Sequence, residues 1–297
     1  MKIFKSLLVI IVIAGLALIA IGFAIGASFT SVFAGLSSND DYTLEDTETY
    51  SETLSDIVLD LETRNVEITS TTDDFISIDY YSKEDDTWLF DFNRGVLEIT
   101  QDEPSGIFNW FSWTLPTSNY LDVIITIPEA YSFDVDVKTN TGDISLENFD
   151  ALGDISLVTD TGSVSVELID AVSLYLESDT GSLKVKDVNA DEDITLDTST
   201  GSADIENTTC ESLSVDLSTG SIDIDDVVAN KIDLDTNTGS IDVEGINLTN
   251  RTLRLSTDTG SVKVNGNDQG DTYNLILTDE DFYLTADTNT GSIRIKD

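Results

Sequence analysis

Residues 232–243 read Ile232-Asp233-Leu234-Asp235-Thr236-Asn237-Thr238-Gly239-Ser240-Ile241-Asp242-Val243, with apolar side chains seven and five places before the glycine and two and four after it. Alternation at period two predicts strands with one dry face and one wet face. The Thr-x-Thr-Gly between them predicts a corner, and its glycine is expected at positive φ, which a residue without Cβ adopts at no steric cost. The pattern recurs. Its glycines are Gly142, Gly162, Gly181, Gly201, Gly220, Gly239, Gly260 and Gly291, at spacings of 20, 19, 20, 19, 19, 21 and 31. The four apolar positions are Val135, Val137, Ile144 and Leu146 in the first copy, and Leu284, Ala286, Ile293 and Ile295 in the last. A further apolar position seven after the glycine (Phe149, Ile169, Val188, Val227, Ile246) suggests a third strand and a three-sided coil.

A period of this size predicts a solenoid. Hairpins would leave each turn free to vary. Identical residues every 19 or 20 places are useful only if successive turns stack in parallel, Thr over Thr and Ile over Leu or Val, at about 4.8 Å per rung. The expected fold is therefore all-β, a parallel β-helix-like solenoid with 19–20-residue rungs over residues 135–297, preceded by one N-terminal transmembrane helix. The 31-residue step before Gly291 leaves room for an outward loop around residues 265–272. Residues 54–134 lack clean copies but read as strands at 57–61, 66–69, 75–81, 96–100 and 121–127. Divergent rungs and a cap are expected there, since terminal repeats must shield the open core; a β-sandwich-like cap is the alternative.

The first 39 residues carry only two charges, Lys2 and Lys5, and residues 7–25 are almost wholly apolar. A helix needs roughly 20 apolar residues to cross a bilayer, so residues 1–37 are expected to be a cytoplasmic stub and a membrane span. Cleavage after Val32-Phe33-Ala34 is the rival reading, against which the long apolar run argues. The positive-inside rule places the lysines in the cytoplasm and the rest of the chain outside the cell membrane. An acidic stalk is expected over 38–53, then the irregular strands to 134.

Beyond the span, 12 Lys+Arg (the chain's 14 less Lys2 and Lys5) face 57 Asp+Glu, a formal net charge of −45. Such a surface repels nucleic acid and attracts cations and basic partners. Histidine is absent and Cys210 is the sole cysteine, which excludes Ser-His-Asp and Cys-His schemes, nearly all zinc sites and any intrachain disulfide. Paired carboxylates remain as a catalytic option, with Asp223, Asp225 and Asp226, or Asp233 and Asp235, as candidates. Their alternation with apolar residues puts them on wet faces, where a general acid does not acquire its raised pKa. No enzyme is expected, and no catalytic, cofactor or metal residue is assigned. Asn140, Asp160, Asp179, Asn237, Asp258 and Asn289 recur at the corners, but match neither an EF-hand loop nor the nine-residue calcium repeat. They read as turn formers, and weak Ca2+ attraction by the whole surface is expected instead.

Ile107-Phe108-Asn109-Trp110-Phe111-Ser112-Trp113 stands apart, with five large apolar side chains between Pro104 and Pro116. Phe108, Trp110, Phe111 and Trp113 are candidates for a membrane or partner contact, against the reading of a plug over the solenoid's end.

The layout resembles the bacterial putative-adhesin domain family of cell-envelope proteins, the LiaG-like and YvlB-like group. The likeness rests on the apolar N-terminal segment, Val66-Glu67-Ile68, Val96-Leu97-Glu98-Ile99, the run from Val123 to Pro128 followed by Glu129, and the Thr-Gly rungs, across residues 50–297. It implies an envelope-facing β-solenoid without catalytic residues, in a group linked with envelope-stress signalling. The expected function is a membrane-anchored adhesin or scaffold that binds an envelope polymer or a protein partner; the alternative is a regulatory ectodomain in envelope-stress sensing.

Overall fold

A computed structural model of the chain describes residues 43–44, 47–82, 86–102, 122–249, 251–277 and 282–297. Every regular element among them is a β-strand. The segment expected to span the membrane lies outside these residues.

Each Thr-Gly corner joins two strands, and each strand stacks in parallel on its counterpart in the next rung. The Gly162 rung, for example, consists of Asp154–Thr161 and Val164–Ala171. Strands before the corner belong to a leading sheet and strands after it to a trailing sheet; with the antiparallel strands at their ends these sheets have 12 and 14 strands among the described residues. Register follows the sequence repeat: Ile155 pairs with Leu174 and Thr161 with Thr180 in the leading sheet, Val164 with Leu183 in the trailing one. Alternate side chains from both sheets meet in one continuous apolar core, whose middle rungs contribute Leu176, Leu196, Val185 and Ile205 with no exposed area.

The corner requires glycine for a reason the sequence reading gave incompletely. Five corner glycines, including Gly142 and Gly220, have φ between +151° and +159°, yet Gly181, Gly201 and Gly260 do not share it. What all eight share is proximity: a Cβ on any of them would sit 1.6–1.9 Å from the carbonyl oxygen of the adjoining corner residue, usually another glycine. That carbonyl also receives a buried hydroxyl. Thr159 Oγ1 donates to Gly142 O at 3.0 Å, Ser178 to Gly162 at 2.8 Å, and Thr236 to Gly220 at 3.0 Å. Leu217, fully buried, takes the hydroxyl's place in one rung. The buried hydroxyls thus tie corner to corner rather than bonding one another.

A separate third strand does not form. The trailing strand bends at the residue six after the glycine, where Asn148, Leu168, Asp187, Asn207 and Asp226 have φ between +49° and +65°. Strict alternation would bury that residue. The left-handed turn exposes it and buries the next one instead: Phe149, Ile169, Val188, Thr208 and Val227 are each at most 2 % exposed. The ladder skips the bent residue and resumes beyond it, as Phe149 pairs with Ile169. The third facet is a bent continuation of the trailing sheet.

At both ends the rungs leave sequence order. The first rung in sequence, Asp56–Thr63 with Asn65–Thr71, lies between the Gly142 rung and one made of Val96–Asp102 and Asp122–Pro128. The last rung, Tyr283–Thr290 with Ile293–Ile295, lies between the Gly239 and Gly260 rungs. The expectation that residues 265–272 merely loop outward is thereby corrected. Asn267–Asp268 and Thr272–Leu275 pair antiparallel with the Gly260 rung and cover its edges. At the other end Thr87–Asn93, a strand absent from the sequence reading, and Ile76–Ser82 cover the edges in the same way. Thr43–Leu44 and Glu48–Tyr50, within the stretch expected as a stalk, add to Ile76–Ser82.

Two buried arginines mark these breaks. Arg64 occupies a corner in place of glycine and forms a 2.6 Å ion pair with Asp86, both side chains fully buried, beneath the Trp88 ring at 5.4 Å. Arg251 donates to the carbonyls of Ala229 (2.6 Å), Asn230 (3.2 Å) and Tyr283 (3.0 Å).

Candidate partner-binding face

In-register stacking turns each outward position into a column. Four places before the glycine the leading sheet carries Glu177, Asp197, Asp216, Asp235 and Asp287 on five successive rungs, each the register partner of the next. Four steps of about 4.8 Å make a line of carboxylates about 19 Å long. Val158 and Ser256 bound the column; the nearest lysine in it, Lys138, lies beyond Val158. Among the described residues, none of the five has a Lys or Arg at ion-pair distance.

The trailing sheet is also acidic but carries its own cations. Asp204, Asp223 and Asp242 stack in one column between Lys184 and Arg294. In the neighbouring column Lys186 lies 4.0 Å from Glu167 and 3.9 Å from Glu206. Arg294 pairs with Asp242 and Lys296 with Glu244. The trailing face is thus partly compensated by its own cations, whereas the leading column is not.

Like charges act on carboxyls of both faces: on the trailing one, burial and then Asp242 and Asp204 push Asp223 above its ordinary pKa. On the leading face, partial burial, then repulsion from Asp216 and Glu177, pushes the Asp197 carboxyl above its ordinary pKa. Burial followed by Asp216 and Asp287 does the same to Asp235, and burial with Asp216 to Asp233. Tyr175 donates its hydroxyl to Glu177 at 2.6 Å, and that bond leads the causes that push the phenol up to about 12. Beyond Tyr175 the face continues into a shallow groove lined by Asp56, Asp134, Asp136, Asp154 and Ser173. Lys138, Lys231 and Arg254 also lie on the leading sheet, but the column from Glu177 to Asp287 itself holds one sign only, and such a line concentrates cations and basic groups along its length.

The structure keeps each of the two alternative carboxylate sets on one strand, on different sheets. Asp223, Asp225 and Asp226 belong to the trailing strand or its bend, Asp233 and Asp235 to the leading sheet, and all five are exposed. Asn140, Asp160, Asp179, Asn237, Asp258 and Asn289 line the exposed corners, where Asn289 Nδ2 donates to Asn237 Oδ1 at 2.8 Å. Among the described residues no three His, Cys, Asp or Glu side chains are grouped to hold a metal ion. Phe108, Trp110, Phe111 and Trp113 lie outside the described residues. The acidic column is legible in the sequence only when the residues four places before each glycine are aligned, away from the corner that marks the repeat.

A sequence model of the family described as Toastrack DUF4097 matches residues 54–226 and 210–297, which together span every rung. The chain belongs to the Toastrack DUF4097 family. No curated protein matches it. Two solved structures are similar to this Toastrack chain. One is a "putative cell adhesion protein" from Clostridium sporogenes, 10% identical, with a TM-score of 0.36 over 86% of this chain and 99% of that one. The other is a "putative adhesin" from Bacteroides fragilis, 15% identical, with a TM-score of 0.47 over 85% of this chain and 97% of that one. The family resemblance read from the sequence is thereby borne out, and the Toastrack stack is the all-β parallel coil expected from its rungs.

Proposed function

We propose that this Toastrack chain is a membrane-tethered, extracytoplasmic and non-enzymatic adhesin or scaffold, whose leading face binds an extended cationic partner, either a basic envelope polymer or a basic protein segment. The observation that carries this reading is the column from Glu177 to Asp287, which among the described residues has no Lys or Arg at ion-pair distance, whereas the trailing face holds ion pairs from Lys186, Arg294 and Lys296. Equal spacing along a rigid face suits a polymer, because each rung offers the same weak contact and multivalency adds them. A small-molecule site would instead be concave and mostly apolar.

Two triple variants of equal charge test the reading against immobilised poly-lysine at increasing salt. Asp197→Asn/Asp216→Asn/Asp235→Asn on the leading face is expected to weaken binding at least about tenfold and to flatten its salt dependence. Asp204→Asn/Asp223→Asn/Asp242→Asn on the trailing face is expected to change it by less than about threefold. Equal losses in both would mean that net charge alone attracts the polymer, and the proposed face would be abandoned.

A further inference from the structure

The spacing of 21 between Gly239 and Gly260 is one or two residues longer than the usual rung, and those residues carry the chain up two rungs instead of one. One extra rung is about 4.8 Å, the reach of one to two extended residues. The chain therefore leaves a slot one rung high and fills it later with residues 283–295.

The slot recognises its occupant from both sides. Gly239 N–H donates to Thr290 O and Ile241 N–H to Ser292 O, while the occupant's Gly291 and Ile293 N–H groups donate to Thr259 O and Ser261 O. Thr288 Oγ1 donates to Gly239 O at 3.1 Å, and Thr257 Oγ1 to Gly291 O at 2.9 Å, so both corner bonds of an interior rung are made. Charge selects this rung among the others, since Arg294 meets Asp242 and Lys296 meets Glu244. Arg251 adds a further clasp by holding Tyr283 O together with Ala229 O and Asn230 O.

None of these interactions depends on how residue 283 is connected to residue 277. We infer that the slot between the Gly239 and Gly260 rungs is a strand-acceptor site, and that its exchange ligand is the Gly291 rung of a second copy of this chain. Exchange keeps every ladder bond, both ion pairs and the Arg251 clasp. It forfeits only the advantage of an intramolecular donor, an effective concentration on the order of millimolar. Crowding of copies therefore favours strand-exchanged pairs, a form of β-strand addition combined with domain swapping.

The test uses full-length chains carrying Cys210→Ala and one new cysteine each. Asp242 and Arg294 are register partners in adjoining strands, at a separation a disulfide can bridge. Asp242→Cys chains are mixed with Arg294→Cys chains, incubated in mild urea, returned to buffer and oxidised; neither chain can close a disulfide within itself. A mixture of Asp223→Cys with Arg294→Cys is the control, because Asp223 lies one rung further away. The expected result is at least about tenfold more disulfide-linked heterodimer in the first mixture, given the reach of a disulfide. Equal yields, or none in either mixture, would overturn the proposal. A single chain carrying both Asp242→Cys and Arg294→Cys must close on itself when oxidised; failure to close would remove the rung from the slot and the proposal with it.

Discussion

The stack from the Gly142 rung to the Gly239 rung and the two ends of the molecule solve different problems with the same strands. In the middle each rung lies on its predecessor in sequence, the corners repeat the same glycine contact, and Thr or Ser ties most corners to the next. At the ends sequence order is broken, edges are covered by antiparallel strands, and buried arginines stand where the repeat fails. Repetition specifies how a rung is shaped, but any rung fits on any other. Order must come from features that occur once. Both ends supply them, and both tuck a sequence-terminal rung one step inside, so that an outermost rung with its own antiparallel cover presents the edge instead.

The largest effect should therefore come from an end. Arg64→Ala leaves the Asp86 carboxylate buried without the guanidinium that faces it at 2.6 Å. Removing one partner of a buried pair costs about 3–5 kcal/mol. Urea unfolding should show that loss as a lower midpoint at nearly unchanged slope. Lys186→Ala, which removes a partly exposed lysine about 4 Å from two glutamates, is the mid-stack counterpart and should cost about 1 kcal/mol or less. Similar losses in the two variants would show that order at the end does not rest on Arg64.

The middle is most sensitive at its corners. In Gly201→Ala the added carbon would lie 1.7 Å from Gly181 O, a backbone atom fixed by two ladders, and Gly201 does not have positive φ. Overpacking of this kind costs about 1–3 kcal/mol, sometimes more. Gly266→Ala isolates the other effect: φ there is +77° and nothing lies within 4 Å of the new carbon, so about 1–2 kcal/mol of backbone strain is expected. If Gly266→Ala proves the more damaging, the corners repeat glycine for φ rather than for contact.

Legibility in the sequence divides along the same line. The four apolar positions around Gly239 and the buried position at Val227 were readable, because burial at period two leaves its mark directly on residue type. The bend was also present in the text as two consecutive exposed residues, such as Asp225 and Asp226 before Val227, which a plain strand does not show. Rung order was not readable. The rungs at Gly260 and Gly291 offer interchangeable patterns, and only the spacings of 21 and 31 hinted that one had been skipped and then filled. The rung made of Val96–Asp102 and Asp122–Pro128 was hidden for a similar reason, since residues 103–121 separate its halves. The acidic column needed register above all. Fifty-seven acidic residues look alike in a string until stacking shows which of them have a cation beside them.

A gain in stability is expected where the regular region breaks its own rule. Leu168 holds the left-handed bend with φ of 58° and is 50 % exposed, where the other rungs place Asn, Asp or Gly. A leucine there bears a backbone strain of about 1–2 kcal/mol and gains little from burial. Leu168→Asn should recover about 1 kcal/mol, because asparagine visits this conformation readily. Thermal or urea midpoints measure it. A loss instead would mean that Leu168 packs against something its exposure does not suggest.

The smallest effect tests the acidic column itself. Asp197, Asp233 and Asp235 have raised carboxyl pKa values in the folded protein, through burial first and then their neighbours, and Asp216 acts on all three. A carboxyl raised on folding binds its proton more tightly in the native state than in the unfolded chain. Its ionised form therefore destabilises the fold at neutral pH, and that penalty is released as pH falls through the raised values toward the ordinary carboxylate range near ~3.9. The midpoint should rise as the solution is acidified across that window, and added salt at pH 7 should act in the same direction by screening. Asp216→Asn should flatten both responses and stabilise the protein at pH 7 by about 0.5 kcal/mol or less, the scale of an exposed substitution. If the midpoint fell steadily on acidification and Asp216→Asn weakened the fold, the column would already be neutralised by groups within the protein, and it would have no unmet charge to offer a partner.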